Sequence, residues 1–272
     1  MAGPQSKAPT LIDQLVAAGR KQCLIDDYYI AIIDGTGPFS EGTYEHLMHN
    51  SFCSQMYRTS EGHASYLRGP SADGIKMGVR ADWAVAELEN WGGDKRLMLA
   101  GYSRGASAAI MAAERLERLG KRVDSMFLFD PVARHMTEGG EVIPANVDSV
   151  SIIRRRLDRD IVERSSHIIP IGPTMLFGGT TGMATYGAAS AYNYVQNPMR
   201  TWFGFTGTTY LGPKEHKDEV SFAGTHGAIG GVGTADVPED RGVQDMCAKW
   251  MNARFAARRV PITLIAVPPT KR

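Results

Sequence analysis

The segment "KRLMLAGYSRGASAAIMAAERL", Lys95 to Leu116, limits the fold of this chain more than any other part of it. An apolar run suited to a buried strand stops at a glycine and turns through Tyr102-Ser103-Arg104. It then meets a second glycine and goes on as an alanine-rich helix from about Arg104 to Leu119. A strand can pass into a helix over so few residues only where small residues let the two backbones approach, so the stretch predicts a tight strand-to-helix corner.

Neighbouring segments repeat the alternation. "YYIAIIDGTG" predicts a buried first strand stopped at Asp34-Gly35, and "EGTYEHLMHNSFCSQMYR" a helix over 41–58. "HASYLRGPSADG" reads as a short strand breaking into a Gly/Pro loop. "MGVRADWAVAELENWGG" reads as a helix that packs Val79, Trp83, Ala86 and Leu88 inward and ends at Gly92-Gly93. "VDSMFLFD" is a further strand ending at Asp130-Pro131. Strands alternating with helices predict an α/β fold, a mostly parallel sheet with helices on both faces.

Beyond Pro131 the rhythm loosens. "VDSVSIIR" and "SSHIIPI" read as strands, "DEVSFAGTHGAIGGVG" as a strand ending in a glycine loop, "VQDMCAKWMNARFAARR" as a helix, and "PITLIAV" as a last strand or a tail. Residues 172–212, rich in Gly, Thr, Ala and aromatics without a clear period, read as an irregular lid or insert. Residues 1–22, with Leu11, Ile12, Leu15 and Val16 at helical spacing, read as an N-terminal accessory segment. No repeat or linker divides the chain, so one domain over 1–272 is expected.

The bulk numbers exclude several classes of partner. Thirty basic against 29 acidic residues leave a formal charge of +1, which offers no field for a polyanion and argues against nucleic acid. The first residues lack the pattern of a secretory signal, and no run nears the roughly 18 apolar residues of a membrane span. Cys23, Cys53 and Cys247 are scattered and odd in number, as expected of reduced thiols in the cytoplasm of the producing cell. Nothing in the spacing calls for a metal or an organic cofactor.

Gly101-Tyr102-Ser103-Arg104-Gly105 fits the G-x-S-x-G pattern of a nucleophile elbow in an α/β-hydrolase-like fold, with Ser103 as the candidate nucleophile. Such a serine needs a base and an orienting acid that follow it in the chain in the order acid, then histidine. Asp130 ends the next strand, at the sheet edge beside Ser103, and is the candidate acid, with Asp158 and Asp160 as weaker alternatives. Of His135, His167, His216 and His226, the last directly follows a strand among glycines and is the candidate base; His216 lies in the charged run "KEHKDE". The Arg104 amide at the helix start and the amide of Gly35 or Thr36 are candidate oxyanion donors, with Tyr102 as a candidate substrate contact. Asp34 reads as a loop organiser.

"IAIIDGTG", "YLRGPSADG", "LAGYSRGA" followed by "MFLFDPVA", and "SFAGTHGAIGG" together resemble the motifs of the type VI secretion phospholipase-effector catalytic domain, a bacterial α/β-hydrolase family. The Arg104-Gly105-Ala106 run is the more specific part, and the likeness extends from about Tyr28 to Gly233. It implies Ser103, Asp130 and His226 as a catalytic triad and a phospholipid ester as substrate. It also implies contact with a membrane surface, and secretion or immunity partners if the chain is a delivered effector. The chain departs from the pattern at Pro70 and at Gly227-Ala228, and it is too short for the membrane-associating regions that members often carry.

The expected activity is therefore serine hydrolysis of a carboxylic ester, on a lipid or a small soluble ester. Transfer of the acyl group to an acceptor other than water, and a catalytically silent binding module, are the alternatives. The apolar stretch "MLFGGTTGMATYGAASAYNYV" reads as an acyl-binding lid or as core. "RRR" at Arg154 to Arg156 reads as a solvated or strand-edge run, or as a headgroup contact.

Overall fold

A computed structural model describes residues 28–37, 40–70, 77–132, 139–156, 209–232 and 239–267. The expected accessory segment, nearly all of the 172–212 lid region, the strand "SSHIIPI", Cys23, Asp158, Asp160, His135 and His167 lie outside them.

In chain order the elements are β1 (Tyr28–Ile33), α1 (Glu41–Met48), α2 (Phe52–Thr59), β2 (Ala64–Leu67), α3 (Met77–Trp91) and β3 (Arg96–Tyr102). There follow α4 (Arg104–Arg118), β4 (Ser125–Phe129), β5 (Val142–Ile143), β6 (Val150–Arg156), β7 (Thr209–Tyr210), β8 (Lys217–Ala223), α5 (His226–Ile229) and α6 (Asp240–Ala257). Six strands form one sheet in the order β2-β1-β3-β4-β6-β8, and every pairing in it is parallel. β5 and β7 pair separately.

Side chains alternate across a strand, so a parallel sheet buried on both faces needs apolar residues at successive positions. β1 meets this demand directly. Tyr28, Ile30 and Ile32 pack with Tyr44, Met48, Phe52 and Met56 of α1 and α2 and with Cys247, Met251 and Phe255 of α6. Tyr29, Ala31 and Ile33 face Met77, Ala81 and Leu88 of α3 and the alanines of α4. The molecule is thus layered helix, sheet, helix, with β1, β3 and β4 at the centre.

Three local expectations change, and a fourth is decided between its two alternatives. The 41–58 helix is two helices, because Ser51 leaves the helical conformation to cap α2 through the Ser54 amide and to reach Asp34. On α3 the buried stripe is Met77, Ala81, Ala84, Val85 and Leu88, while Val79 is 61% exposed and Ala86 is exposed. The close approach of α4 selects the small residues Ala81 and Ala84 for that face, and the larger Val79 turns outward. His226 opens the short helix α5 rather than lying in an open glycine loop, since the Thr225 hydroxyl accepts from the Ala228 amide. "PITLIAV" forms no strand; it is a tail held by Asn252 on Leu264 and by Gln55 on Ile265.

Candidate active site

β3 delivers Ser103 at the carboxyl end of the sheet. Its backbone stands at φ 58°, ψ −126°, a conformation that L-residues occupy only under strain, so the turn throws the side chain clear of both flanking elements. Two glycines permit the corner. A Cβ on Gly101 would lie 2.6 Å from the Ala106 backbone, and one on Gly105 would run into the carbonyls of Ile33 and Asp34. The Gly105 approach brings the start of α4 against the loop after β1. The turn is tied by the Ser103 amide to the Phe129 carbonyl at 2.9 Å and by the Val132 amide to the Ser103 carbonyl at 3.0 Å.

Asp130 follows β4 and also has positive φ, 40°. Its amide donates to Ile153 at 2.7 Å, which anchors the turn to β6. His226 sits at the first turn of α5. Its Nδ1 is 2.7 Å from Asp130 Oδ2 and its Nε2 is 2.8 Å from Ser103 Oγ, with all three side chains buried. The structure therefore brings Ser103, His226 and Asp130 into one hydrogen-bonded chain. With Asp130 ionised, Nδ1 carries the proton and Nε2 faces the serine as an acceptor.

Burial, the largest single influence, would raise the Asp130 carboxyl, but the Arg155 guanidinium, His226 and Arg154 together outweigh it and hold the group below the ordinary carboxylate value. Arg155 grips both oxygens. Its Nε is 3.3 Å from Oδ2 and its backbone amide 3.4 Å from Oδ1. The "RRR" expectation is corrected at this residue: Arg155 is 4% exposed, while Arg154 pairs with Glu219 at 2.5 Å. Strand alternation puts Arg155 on the same sheet face as Ile153, beneath α6. That alternation was the available signal, but the apparent charge run concealed it.

Tyr102 is placed as a support for the histidine. Its ring lies 4.9 Å from the His226 ring and its hydroxyl donates to the His226 carbonyl at 3.0 Å. Arg104 is fully buried, and its Nε donates to Thr36 Oγ1 at 2.6 Å, joining α4 to the loop after β1. The Gly35 amide is turned back onto Asp34 Oδ1 at 2.7 Å, so of the two candidate donors Thr36 is the one beside the helix start.

Asp34 is a buried hub. It accepts from Ser51 Oγ at 2.5 Å, Tyr66 hydroxyl at 2.7 Å and the Gly35 amide, while Tyr44 bridges the Gly35 carbonyl and the Gly69 amide at 2.8 Å each. Burial pushes its carboxyl up to about 6, against the hydrogen bonds that favour the charged form. The raised value means Asp34 contributes stability that is fully present below 3.8 and is lost as pH rises through about 6, a swing of ~3 kcal/mol. Urea unfolding at pH 4 and pH 7 should show wild type losing most of that amount more across the interval than Asp34→Asn, which cannot ionise. Equal slopes for the two proteins would contradict the assignment.

The sheet order, with helices on both faces and a strained serine at a strand-to-helix corner, defines an α/β-hydrolase fold. The sequence matches the profile of the thioesterase domain over residues 47–158, a stretch that includes Ser103 and Asp130 and ends before His226. No curated protein matches the chain. Among solved structures it is similar to a protein described as a YdeN-like hydrolase from Pectobacterium atrosepticum, at 14% identity and a TM-score of 0.41, covering 90% of this chain and 98% of that one. It is similar to a lidless α/β serine hydrolase from Xanthomonas campestris at 16% identity and a TM-score of 0.36, over 83% and 84% of the two chains. It is also similar to the RedJ thioesterase of the prodiginine pathway in Streptomyces coelicolor, at 14% identity and a TM-score of 0.36, over 90% and 97%. Identities this low say nothing about a shared substrate.

No helix among the described residues is long and apolar enough to cross a membrane, and no group of three or more His, Cys, Asp and Glu side chains among them could hold a metal.

Proposed function

We propose that the chain hydrolyses carboxylic esters or thioesters through an acyl-enzyme on Ser103. The observation that carries this is the unbroken contact from Asp130 through His226 to Ser103, at 2.7 and 2.8 Å. Ser103 Oγ attacks the acyl carbonyl as its proton passes to His226 Nε2, while Asp130 fixes the ring and stabilises the imidazolium. The amides of Arg104 and Thr36 face the oxyanion that forms. Collapse expels the alcohol or thiol, which takes the proton from Nε2. Water, deprotonated by the same nitrogen, then attacks the acyl-serine and releases the acid, restoring Ser103.

Two observations bear on the leaving group. The thioesterase match over residues 47–158 supports a thioester. The Arg104-Gly105-Ala106 motif and the late Gly-x-His segment support the phospholipid ester of the effector family they resemble, and with it delivery to another bacterium's membrane. A fluorophosphonate probe should label Ser103, and an acyl-thioester, a short p-nitrophenyl ester and phospholipid vesicles assayed side by side should show which bond is cut. Absence of both labelling and acid release from every substrate would sink the hydrolase reading.

A further inference from the structure

We infer that Arg155 is a positioning residue that sets the basicity of His226 by neutralising Asp130. This rests on the triad proposed above and adds to it a member that the reaction scheme does not use.

The geometry is convergent. Arg155 Nε and His226 Nδ1 approach the same oxygen, Asp130 Oδ2, at 3.3 and 2.7 Å. All three groups are at least nine-tenths buried, with side-chain exposures of 1%, 4% and 6% for Arg155, His226 and Asp130. In a triad whose acid is an unneutralised carboxylate, that charge stabilises the imidazolium and raises the histidine's proton affinity. Here a permanent cation already occupies the carboxylate, so an imidazolium gains less from it and is repelled by the guanidinium across a low-dielectric interior. His226 therefore stays neutral, and able to accept the Ser103 proton, to a lower pH than it would without Arg155. The Arg155 backbone amide on Oδ1 also helps to orient the carboxylate.

Among the described residues, no other group places a positive charge directly on the carboxylate. Tyr102 of β3 and Cys247 of α6 are kept neutral because burial pushes both well above their ordinary values. Arg154 acts on Asp130 at longer range while paired with Glu219, and Asp240 of α6 holds the Thr225 amide and hydroxyl at 3.2 and 2.6 Å. Asp34, which acts on Tyr102, titrates at about 6 and is common to every variant compared below.

The test is an NMR titration of the His226 imidazole in the free protein, which needs no substrate. Arg155→Met should raise the His226 pKa by about one pH unit, a tenfold gain in proton affinity, and Arg155→Lys, which keeps the charge, should restore most of the wild-type value. If Arg155→Met does not fold with its buried Asp130 unbalanced, comparing Asp130→Asn with Asp130→Asn/Arg155→Met reads the guanidinium's direct repulsion of the imidazolium by itself, without an unpaired carboxylate. Removing the arginine should raise His226 there too. An unchanged or lowered pKa in whichever comparison folds overturns the proposal. Loss of the hydrolase reading would show separately, as failure of the wild type to take a fluorophosphonate label. If both hold, the acid limb of kcat/KM in Arg155→Met moves up in pH with the NMR value.

Discussion

Ser103→Ala should lower kcat by about 10⁴-fold or more on whichever ester or thioester the wild type cleaves, with the fold intact. Ser103 Oγ lies 2.8 Å from His226 Nε2, and the acyl-enzyme path has no other oxygen at that position. The serine is also held at φ 58°, so alanine inherits the same strained backbone and the comparison isolates the hydroxyl. His226→Ala should cost nearly as much, and the double variant little more than either alone, because residues that act as one unit are far from additive. Single-turnover rates with the three proteins check this. A Ser103→Ala protein with wild-type turnover would remove Ser103 from the chemistry altogether.

Gly105→Ala should be severely damaging to the fold, costing at least ~3 kcal/mol or abolishing soluble protein. The added methyl meets the carbonyls of Ile33 and Asp34, which are backbone atoms of the central strand and its exit and cannot swing aside like the end of a side chain. Either α4 lifts from β1 or the loop carrying Asp34 and Thr36 shifts, and both moves separate the Arg104 Nε from Thr36 Oγ1. Gly42→Ala is the matched control. It also lies in a helix, nothing stands within 4 Å of its would-be Cβ, and it should be neutral or gain up to ~1 kcal/mol. Urea midpoints for the two variants decide the matter. A Gly105→Ala protein as stable as wild type would mean that α4 does not need this approach.

Both expectations start from the same five residues, and those residues were also the most legible part of the sequence. Strand, glycine, serine, glycine and alanine-rich helix are local signals whose physics closes within one corner. Asp130 and His226 could be named for a related reason: each ends or follows a strand, and in a parallel sheet the carboxyl ends of neighbouring strands share one edge. The three side chains do meet there, at hydrogen-bond distance.

The misreadings came where a residue's environment depends on partners distant in the chain. Arg155 looked like one member of a solvated run, yet its strand carries it beneath α6 and onto a carboxylate 25 residues earlier. The support that Tyr102 gives His226, 124 residues later, could not be read from its neighbours either. Gly35 and Thr36 could not be separated by type, because the difference is that Asp34 recruits the Gly35 amide. On α3 the apolar residues make two stripes, and contact with α4 chose between them.

The sequence by itself determined the parallel α/β layering, through continuous apolar strands alternating with helices, and the elbow at Ser103, through the sizes of residues next to one another. These are short-range properties, governed by the steric demands of a few consecutive residues. Only the tertiary structure decided how charge is distributed around the site: that Asp34 is buried with three donors, that Arg104 joins Thr36, and that Arg155 shares Asp130 with His226. A charged side chain's ionisation and partners depend on what burial removes and which opposite charge the fold brings near, and neither is a property of its neighbours in sequence.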